Sequence, residues 1–108
     1  MKVENPTYIA TQEIIWLRAD GTEVLIQACV GIPYKSSDAW ACPAALIGVD
    51  ERYADRVGES SFQSLNIAMD MIRQRLGHLL DAGEVLTDPN ERSYRWDLGA
   101  LDAVFGKA

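Results

Sequence analysis

The chain has 108 residues with 16 acidic and 10 basic side chains, which gives a formal net charge of −6. This length suits one compact domain, and the negative charge argues against a general binder of polyanions such as nucleic acid. A hydrophobic content of 48% with three Trp, four Tyr and two Phe residues excludes a disordered acidic chain. We therefore expect a single domain over 1–108, with one hydrophobic core and with residues 1–6 disordered.

The sequence indicates an intracellular setting without a metal site or disulfides. No apolar run approaches the roughly 20 residues that cross a bilayer, and residues 1–6 lack the apolar segment of a signal peptide. We therefore expect a cytoplasmic protein without membrane contact. Cys29 and Cys42 do not have a zinc-binding spacing, and His78 is the only histidine. Reduced, buried thiols and no cofactor are expected.

The strongest local signal is a β-hairpin near the N-terminus. Two segments, 8–17 and 23–32, are rich in Ile, Val and aromatic residues and flank an Asp-Gly pair, in which Gly21 can take the positive φ of a tight turn. A two-residue turn would mix polar and apolar side chains on both faces of the sheet. A three-residue loop with Gly21 at a bulge instead pairs Trp16 with Val24 and gives one apolar face. We favour the three-residue loop.

Further strands are predicted after the hairpin. Residues 39–49 indicate a third strand, in which Pro43 cannot donate a ladder hydrogen bond and therefore indicates an edge position or a bulge. Residues 53–57 indicate a short fourth strand. Together with the hairpin, these segments predict an antiparallel meander of three to four strands.

A long helix is predicted to follow the strands. Ser60 and Gln63 have the spacing of a capping box, in which each side chain satisfies a free backbone donor of the first turn. The helix is expected over 60–82, with Gly83 as its left-handed cap. Its apolar stripe, which has the helical spacing that packs against a sheet, consists of Leu65, Ala68, Met69, Ile72, Leu76, Leu79 and Leu80.

A short C-terminal helix is predicted after a turn at 88–90. Asp97 can cap this helix, Gly106 can end it, and Leu101 and Phe105 share one apolar side. The predicted fold class is therefore α+β: a three- to four-stranded antiparallel meander, one long helix packed on one face, and a short C-terminal helix.

Two motifs resemble those of a known family. Trp40-Ala41-Cys42-Pro43 has the form of a Trp-x-Cys-Pro strand, and residues 58–65 have the form of a Gly-led, capped helix start. The stretch 16–76 thereby resembles an uncharacterised family of small bacterial domains, a domain of unknown function. The resemblance supports the fold, and because the family has no established chemistry, it carries over no catalytic or binding residue.

The back of the long helix carries a candidate partner-binding surface. Ile67, Met71 and His78 share one face behind the apolar stripe, and a fully solvated helix back would not usually carry two large apolar residues in line. Either the C-terminal helix or another molecule, a partner protein or a second copy, is expected to cover this strip. Asp81 and Glu84 extend the surface, because the chain is locally acidic from Asp81 onward and such charge favours a basic partner.

These features favour a non-enzymatic module that binds another protein, such as an acidic inhibitor or an immunity-type protein that neutralises a basic partner. The sequence shows no assembled set of catalytic residues. The alternative is a small-molecule-binding domain or a minor enzyme, with a pocket between helix and sheet lined by Trp16, Trp40 and Tyr53. A third interpretation is a homodimer formed through an edge strand or through the strip of Ile67 and Met71.

Overall fold

The computed structural model describes residues 2–106, so Met1 and residues 107–108 of the predicted domain lie outside the described residues. The described chain contains eight strands and two helices, which confirms the α+β class. Neither helix within residues 2–106 is long and apolar enough to span a bilayer. The elements are β1 (Tyr8–Leu17), β2 (Glu23–Gly31), β3 (Tyr34–Ser36), β4 (Ala39–Cys42), β5 (Ala44–Ile47), β6 (Glu51–Arg52), β7 (Arg56–Gly58), α1 (Ser61–Asp81), β8 (Val85–Thr87) and α2 (Leu98–Phe105).

The strands form two antiparallel sheets. The first has the order β6-β5-β2-β1-β8, and the second has the order β3-β4-β7. The core lies between these sheets and the two helices, and its largest fully buried side chains include Ile14, Ile26, Leu46, Ile72, Leu76, Leu86 and Leu101.

The hairpin of β1 and β2 has the predicted register. Trp16 pairs with Val24, and the Arg18 N–H donates to the Thr22 carbonyl at 2.9 Å, which closes a loop of three residues. Gly21 has a φ of +89°, the left-handed conformation that favours glycine. The three-residue loop is therefore confirmed.

Pro43 divides the predicted third strand between the two sheets. The residues before it form β4, in the centre of the second sheet, and the residues after it form β5, which pairs with β2. Pro43 has no N–H to continue a ladder, but its carbonyl accepts from the Gly31 N–H at 2.9 Å. The predicted single strand over 39–49 is wrong, and so is the meander of three to four strands.

Short strands account for the rest of the difference. The strand predicted over 53–57 is replaced by β6, which pairs with β5, and by β7, which pairs with β4. β3 and β8 have three residues each and were not predicted. Three residues are too few to show the alternation of apolar and polar side chains that identifies a strand.

α1 begins and ends as its capping residues predict. Ser60 Oγ accepts from the Gln63 N–H at 3.0 Å, and Gln63 Oε1 accepts from the Glu59 N–H at 2.5 Å. Gly83 has a φ of +86°, and the N–H groups of Gly83 and Glu84 donate to carbonyls of the last turn. The buried residues of the apolar stripe are Ala68, Ile72, Leu76 and Leu79.

The C-terminal region packs onto the rest of the described chain. β8 pairs with residues 15–17 of β1, and α2 packs against α1. Asp97 Oδ1 accepts from the Ala100 N–H at 2.8 Å, and Asp102 forms an ion pair with Arg73 of α1 at 3.4 Å. The predicted C-terminal helix is confirmed.

Candidate functional site

The predicted strip on the back of α1 is partly exposed. Ile67 is 37% exposed, His78 is exposed, and Met71 is half-buried against the core. α2 contacts the flank of α1 that carries Met69 and Arg73. With 3.6 residues per turn, that flank lies on the other side of the helix axis from the strip. α2 is therefore not the cover that the sequence suggested for these residues.

The two acidic candidates lie in different environments. Asp81 is exposed at the end of α1. Glu84 is half-buried, and its Oε2 accepts from Trp16 Nε1 at 3.0 Å. The Arg18 guanidinium lies over the Trp16 ring, 4.8 Å from its centroid. Trp16 and Glu84, which the sequence assigned to different sites, thus contact each other.

The other two residues of the predicted aromatic pocket lie elsewhere. Trp40 is half-buried on β4, in the second sheet. Tyr53 follows β6, and its hydroxyl donates to Asp50 at 2.6 Å. A cavity of about 230 Å³ is lined by Trp16, Arg18 and Glu84 among others, and it includes neither Trp40 nor Tyr53. The structure does not bring the three aromatic residues together around that cavity.

Asp55 is the centre of a buried polar cluster that the sequence did not indicate. Its Oδ2 accepts from the Tyr34 hydroxyl at 2.5 Å and from the Val3 N–H at 2.8 Å, and its Oδ1 accepts from Arg52 at 2.9 Å. Burial acts to raise the pKa of Asp55, but the hydrogen bonds from Tyr34, Val3 and Arg52 outweigh it, so the pKa is lowered. This carboxylate is already bonded by three groups and joins the N-terminal segment to β3 and β6.

The thiols are buried, as expected. Neither Cys29 nor Cys42 forms a disulfide within residues 2–106. Burial raises the pKa of Cys42 to about 11, so its thiol is protonated at neutral pH. No group of three His, Cys, Asp or Glu side chains in the described chain is arranged to hold a metal ion.

A cleft lies between β1 and α2 and is named here the β1 cleft. It consists of two adjoining cavities of about 230 and 310 Å³, and both include Gln12 and Val104. The smaller cavity is mostly apolar, with further lining residues Ala10, Thr11, Ala28, Val30, Met69, Ile72 and Phe105. The larger cavity is further lined by Asp88, Tyr94, Trp96, Ala100 and Ala103.

Beside the cleft, part of β1 has an unpaired edge. β8 pairs only with residues 15–17 of β1. The Trp96 N–H donates to the Leu86 carbonyl at 2.9 Å, so the N–H and C=O of Leu86 point away from β1. Because the backbone groups of successive strand residues point to opposite sides, those of Val85 and Thr87 point toward β1. Ile15, which pairs with Thr87, therefore points its backbone groups away from β2, and by the same alternation along β1 so do Glu13 and Thr11. No strand of residues 2–106 lies beside Thr11 and Glu13 at this edge.

Gln12 satisfies one of the groups at this edge. Its Nε2 donates to the Glu13 carbonyl at 3.0 Å. The N–H and C=O of Thr11 and the N–H of Glu13 have no strand partner in the described part of the chain. Unpaired backbone groups in a row are a template for a further strand.

No protein-family model, curated protein or solved structure matches this chain. The resemblance of residues 40–43 and 58–65 to a bacterial domain family therefore stays a prediction.

The β1 cleft contains none of the site residues that the sequence predicted, and it includes Met69, Ile72 and Phe105, which the sequence predicted only as residues of apolar helix faces. Its apolar walls are ordinary core residues of β2 and α1, which a sequence shows only as hydrophobic positions. One available signal was the turn at Asp88-Pro89, because a proline next to a short strand ends its pairing. If β8 had been recognised as the partner of β1, that turn would have predicted the unpaired edge at residues 11–13.

Proposed function

We propose that this chain is a non-enzymatic, cytoplasmic protein-binding module that holds an extended segment of a partner protein along the unpaired edge of β1. The observation that carries the proposal is the row of three backbone groups beside the β1 cleft, the N–H and C=O of Thr11 and the N–H of Glu13, that have no strand partner within residues 2–106. A peptide that adds a strand to a sheet edge gains affinity from main-chain hydrogen bonds and specificity from pockets for alternate side chains. Both components are present at this edge.

The dimensions of the smaller cavity favour a side chain over a whole ligand. Its volume of about 230 Å³ lies below the roughly 300–1,000 Å³ of pockets that take drug-sized molecules. An apolar side chain entering from an added strand would contact Val30, Ile72 and Phe105. The cavity then supplies the apolar burial that backbone pairing alone lacks.

The charge of the protein supports a basic partner. The net charge is −6, and Asp88 is the only charged residue among the described residues that line the β1 cleft. Complementary charge speeds encounter and excludes acidic partners. An acidic inhibitor of a basic protein is consistent with this distribution.

Thr11→Pro tests the role of the backbone edge. The substitution removes the outward N–H, which the β1–β2 ladder does not use, and proline is tolerated in strands at such edge positions. We expect peptides selected on the wild-type protein from a phage-displayed library of random linear peptides to bind Thr11→Pro about tenfold more weakly or worse. Fluorescence anisotropy with the selected synthetic peptides measures the change.

Thr11→Val is the matched control, because it keeps the N–H and the β-branched side chain. It should bind the selected peptides within about twofold of wild type, and both variants should keep the wild-type melting temperature within a few degrees. A library that yields no binding peptides, or peptides that bind Thr11→Pro as well as wild type, would contradict the proposal.

A second candidate, a small-molecule-binding domain, is favoured by Trp96. This residue lines the larger cavity and is 7% exposed, and its indole Nε1 has no hydrogen-bond partner within residues 2–106. The nitrogen itself is closed to solvent, so a ligand that carries an acceptor would satisfy this donor only after the indole ring moved. Thr11→Pro separates the two functions, because a small molecule does not need the backbone N–H of an edge strand.

A further inference from the structure

We infer that the β1 cleft selects a basic residue followed two positions later by an apolar residue, in a segment that runs antiparallel to β1. The inference rests on the proposed function and specifies the partner's chemistry.

The direction follows from the path of β8. β8 runs antiparallel to β1 and ends at Thr87, opposite Ile15. The Asp88 N–H then donates to the Tyr94 carbonyl at 3.1 Å, so the chain turns away from β1. The space beside residues 11–13 of β1, which a longer β8 would occupy, therefore contains no strand of residues 2–106. A segment that continues this line in the same direction can exchange two hydrogen bonds with Thr11 through a single partner residue, which is the antiparallel geometry.

The alternation of side chains assigns two partner residues to the two cavities. A partner residue opposite Thr11 points to the outer face of the sheet, and the residues opposite Gln12 and Ala10 point inward to the cleft. Gln12 belongs to both cavities, whereas Ala10 belongs to the smaller one only. Coming from the end of β8, the first inward side chain enters the larger cavity, and the second enters the smaller cavity.

The larger cavity suits a lysine or arginine side chain. Its walls include the Trp96 ring and the small side chains of Ala100 and Ala103, which leave room for an aliphatic stem. Asp88 supplies the charge that pairs with the head group. The Asn90 N–H donates to Asp88 Oδ1 at 2.8 Å and thereby holds the carboxylate in place. The nearby Arg92 is ion-paired with Glu23 at 3.1 Å, and it also donates to the Asp88 backbone carbonyl at 3.4 Å, so its charge lies close to that of Asp88.

The smaller cavity suits one apolar side chain. It is lined by Val30, Ile72, Met69 and Phe105, which offer no charge and almost no hydrogen-bonding groups. A charged residue at this position of the partner would lose its hydration without compensation. The two cavities therefore distinguish consecutive inward positions by charge.

Synthetic peptides of one design test the inference. The host peptide is Ac-Thr-Thr-Lys-Thr-Leu-Thr-Thr-NH₂, with Lys and Leu at the two inward positions. Amide shifts in a two-dimensional NMR titration of the full chain give its dissociation constant and locate its site. We expect shifts at Thr11 and Gln12, and a weakening of about tenfold when Lys is replaced by Glu or Leu is replaced by Ser.

Asp88→Asn tests whether the Asp88 carboxylate recognises the basic residue of the partner. Asparagine retains an oxygen for the Asn90 N–H, so the turn is kept while the charge is lost. In this variant the Lys and Glu peptides should bind within about twofold of each other, and the effect of Leu→Ser should be unchanged. Asp38→Asn is the matched control: it changes the net charge equally at an exposed position between β3 and β4, and should keep the tenfold preference for Lys.

The possible outcomes distinguish this inference from the proposed function on which it rests. Peptides that bind at Thr11 with no preference for Lys, or a preference that survives Asp88→Asn, would overturn the inference and leave strand capture intact. The absence of shifts at Thr11 with every peptide would overturn both. A dimer in sedimentation equilibrium that Thr11→Pro dissociates would also overturn both, because a second copy would then occupy the edge.

Discussion

Asp55→Asn should lower the free energy of unfolding by about 3 kcal/mol at pH 7, because it removes one partner of a buried ion pair. The Asp55 side chain is fully buried and is bonded by Tyr34, Arg52 and the Val3 N–H. Asparagine cannot balance the Arg52 charge, and its amide group places donors where the carboxylate only accepts. Urea unfolding followed by circular dichroism measures the loss.

The pH dependence of this cluster has two sides. Because the folded pKa of Asp55 lies below its ordinary value of 3.8, the stabilisation is complete above pH 3.8 and is lost as the pH falls through the lower folded value. Burial, and then the bond to Asp55, raises the pKa of Tyr34 from 10.0 to about 12. That contribution is complete below pH 10 and is lost as the pH rises toward about 12.

The difference in unfolding free energy between wild type and Asp55→Asn should therefore be largest between pH 3.8 and pH 10 and shrink on both sides. Asp38→Asn, at an exposed position between β3 and β4, is the control and should change stability by less than about 0.5 kcal/mol at any pH. A difference for Asp55→Asn that is small and independent of pH would show that the cluster does not stabilise the fold.

Gly48→Ala should destabilise the protein by about 3 kcal/mol, through a strained backbone and a close contact with β2. Gly48 has a φ of +95°, which L side chains rarely adopt. An added Cβ would also lie 2.7 Å from the Leu25 carbonyl oxygen, a backbone atom that is held in the first sheet. The end of β5 would have to move away from β2 to relieve the contact.

Gly83→Ala isolates the backbone component of that loss. Gly83 has a φ of +86°, close to that of Gly48, and a Cβ there would meet nothing within 4 Å. We expect a loss of about 1 kcal/mol for Gly83→Ala, which is the strain of the left-handed conformation alone. Thermal and urea unfolding of the two variants measure the difference, and equal losses would rule out the steric part of the argument.

Local signals predicted the hairpin and both helices. Gly21 in the hairpin loop, the pairing of Ser60 with Gln63, and the cap at Asp97 each act within a few residues, so their physical effect is visible in the sequence. The course of the chain after Cys42 was not predictable in this way. Pro43 signalled an interruption, but which sheet the following residues join depends on pairing with β2, which is distant in sequence.

The candidate site was harder to predict for the same reason. The β1 cleft combines Gln12, Asp88 and Val104, which have no common motif and come together only through the packing of α2 beside β1. The partners of Asp55 likewise come from positions as far away as Val3. Aromatic residues were a misleading guide to a pocket, because Trp16 is engaged by Glu84 and Tyr53 by Asp50.

The single residue between β4 and β5 has a mechanical consequence. Because these two strands are one nearly continuous length of chain, displacing either strand from its sheet also displaces the other. The Gly31 N–H also donates to the Pro43 carbonyl, which connects β2 to the same point. The two sheets are therefore covalently connected through Pro43, with one residue between their strands. We therefore expect that denaturant which disrupts one sheet also disrupts the other, so that both unfold in one cooperative transition.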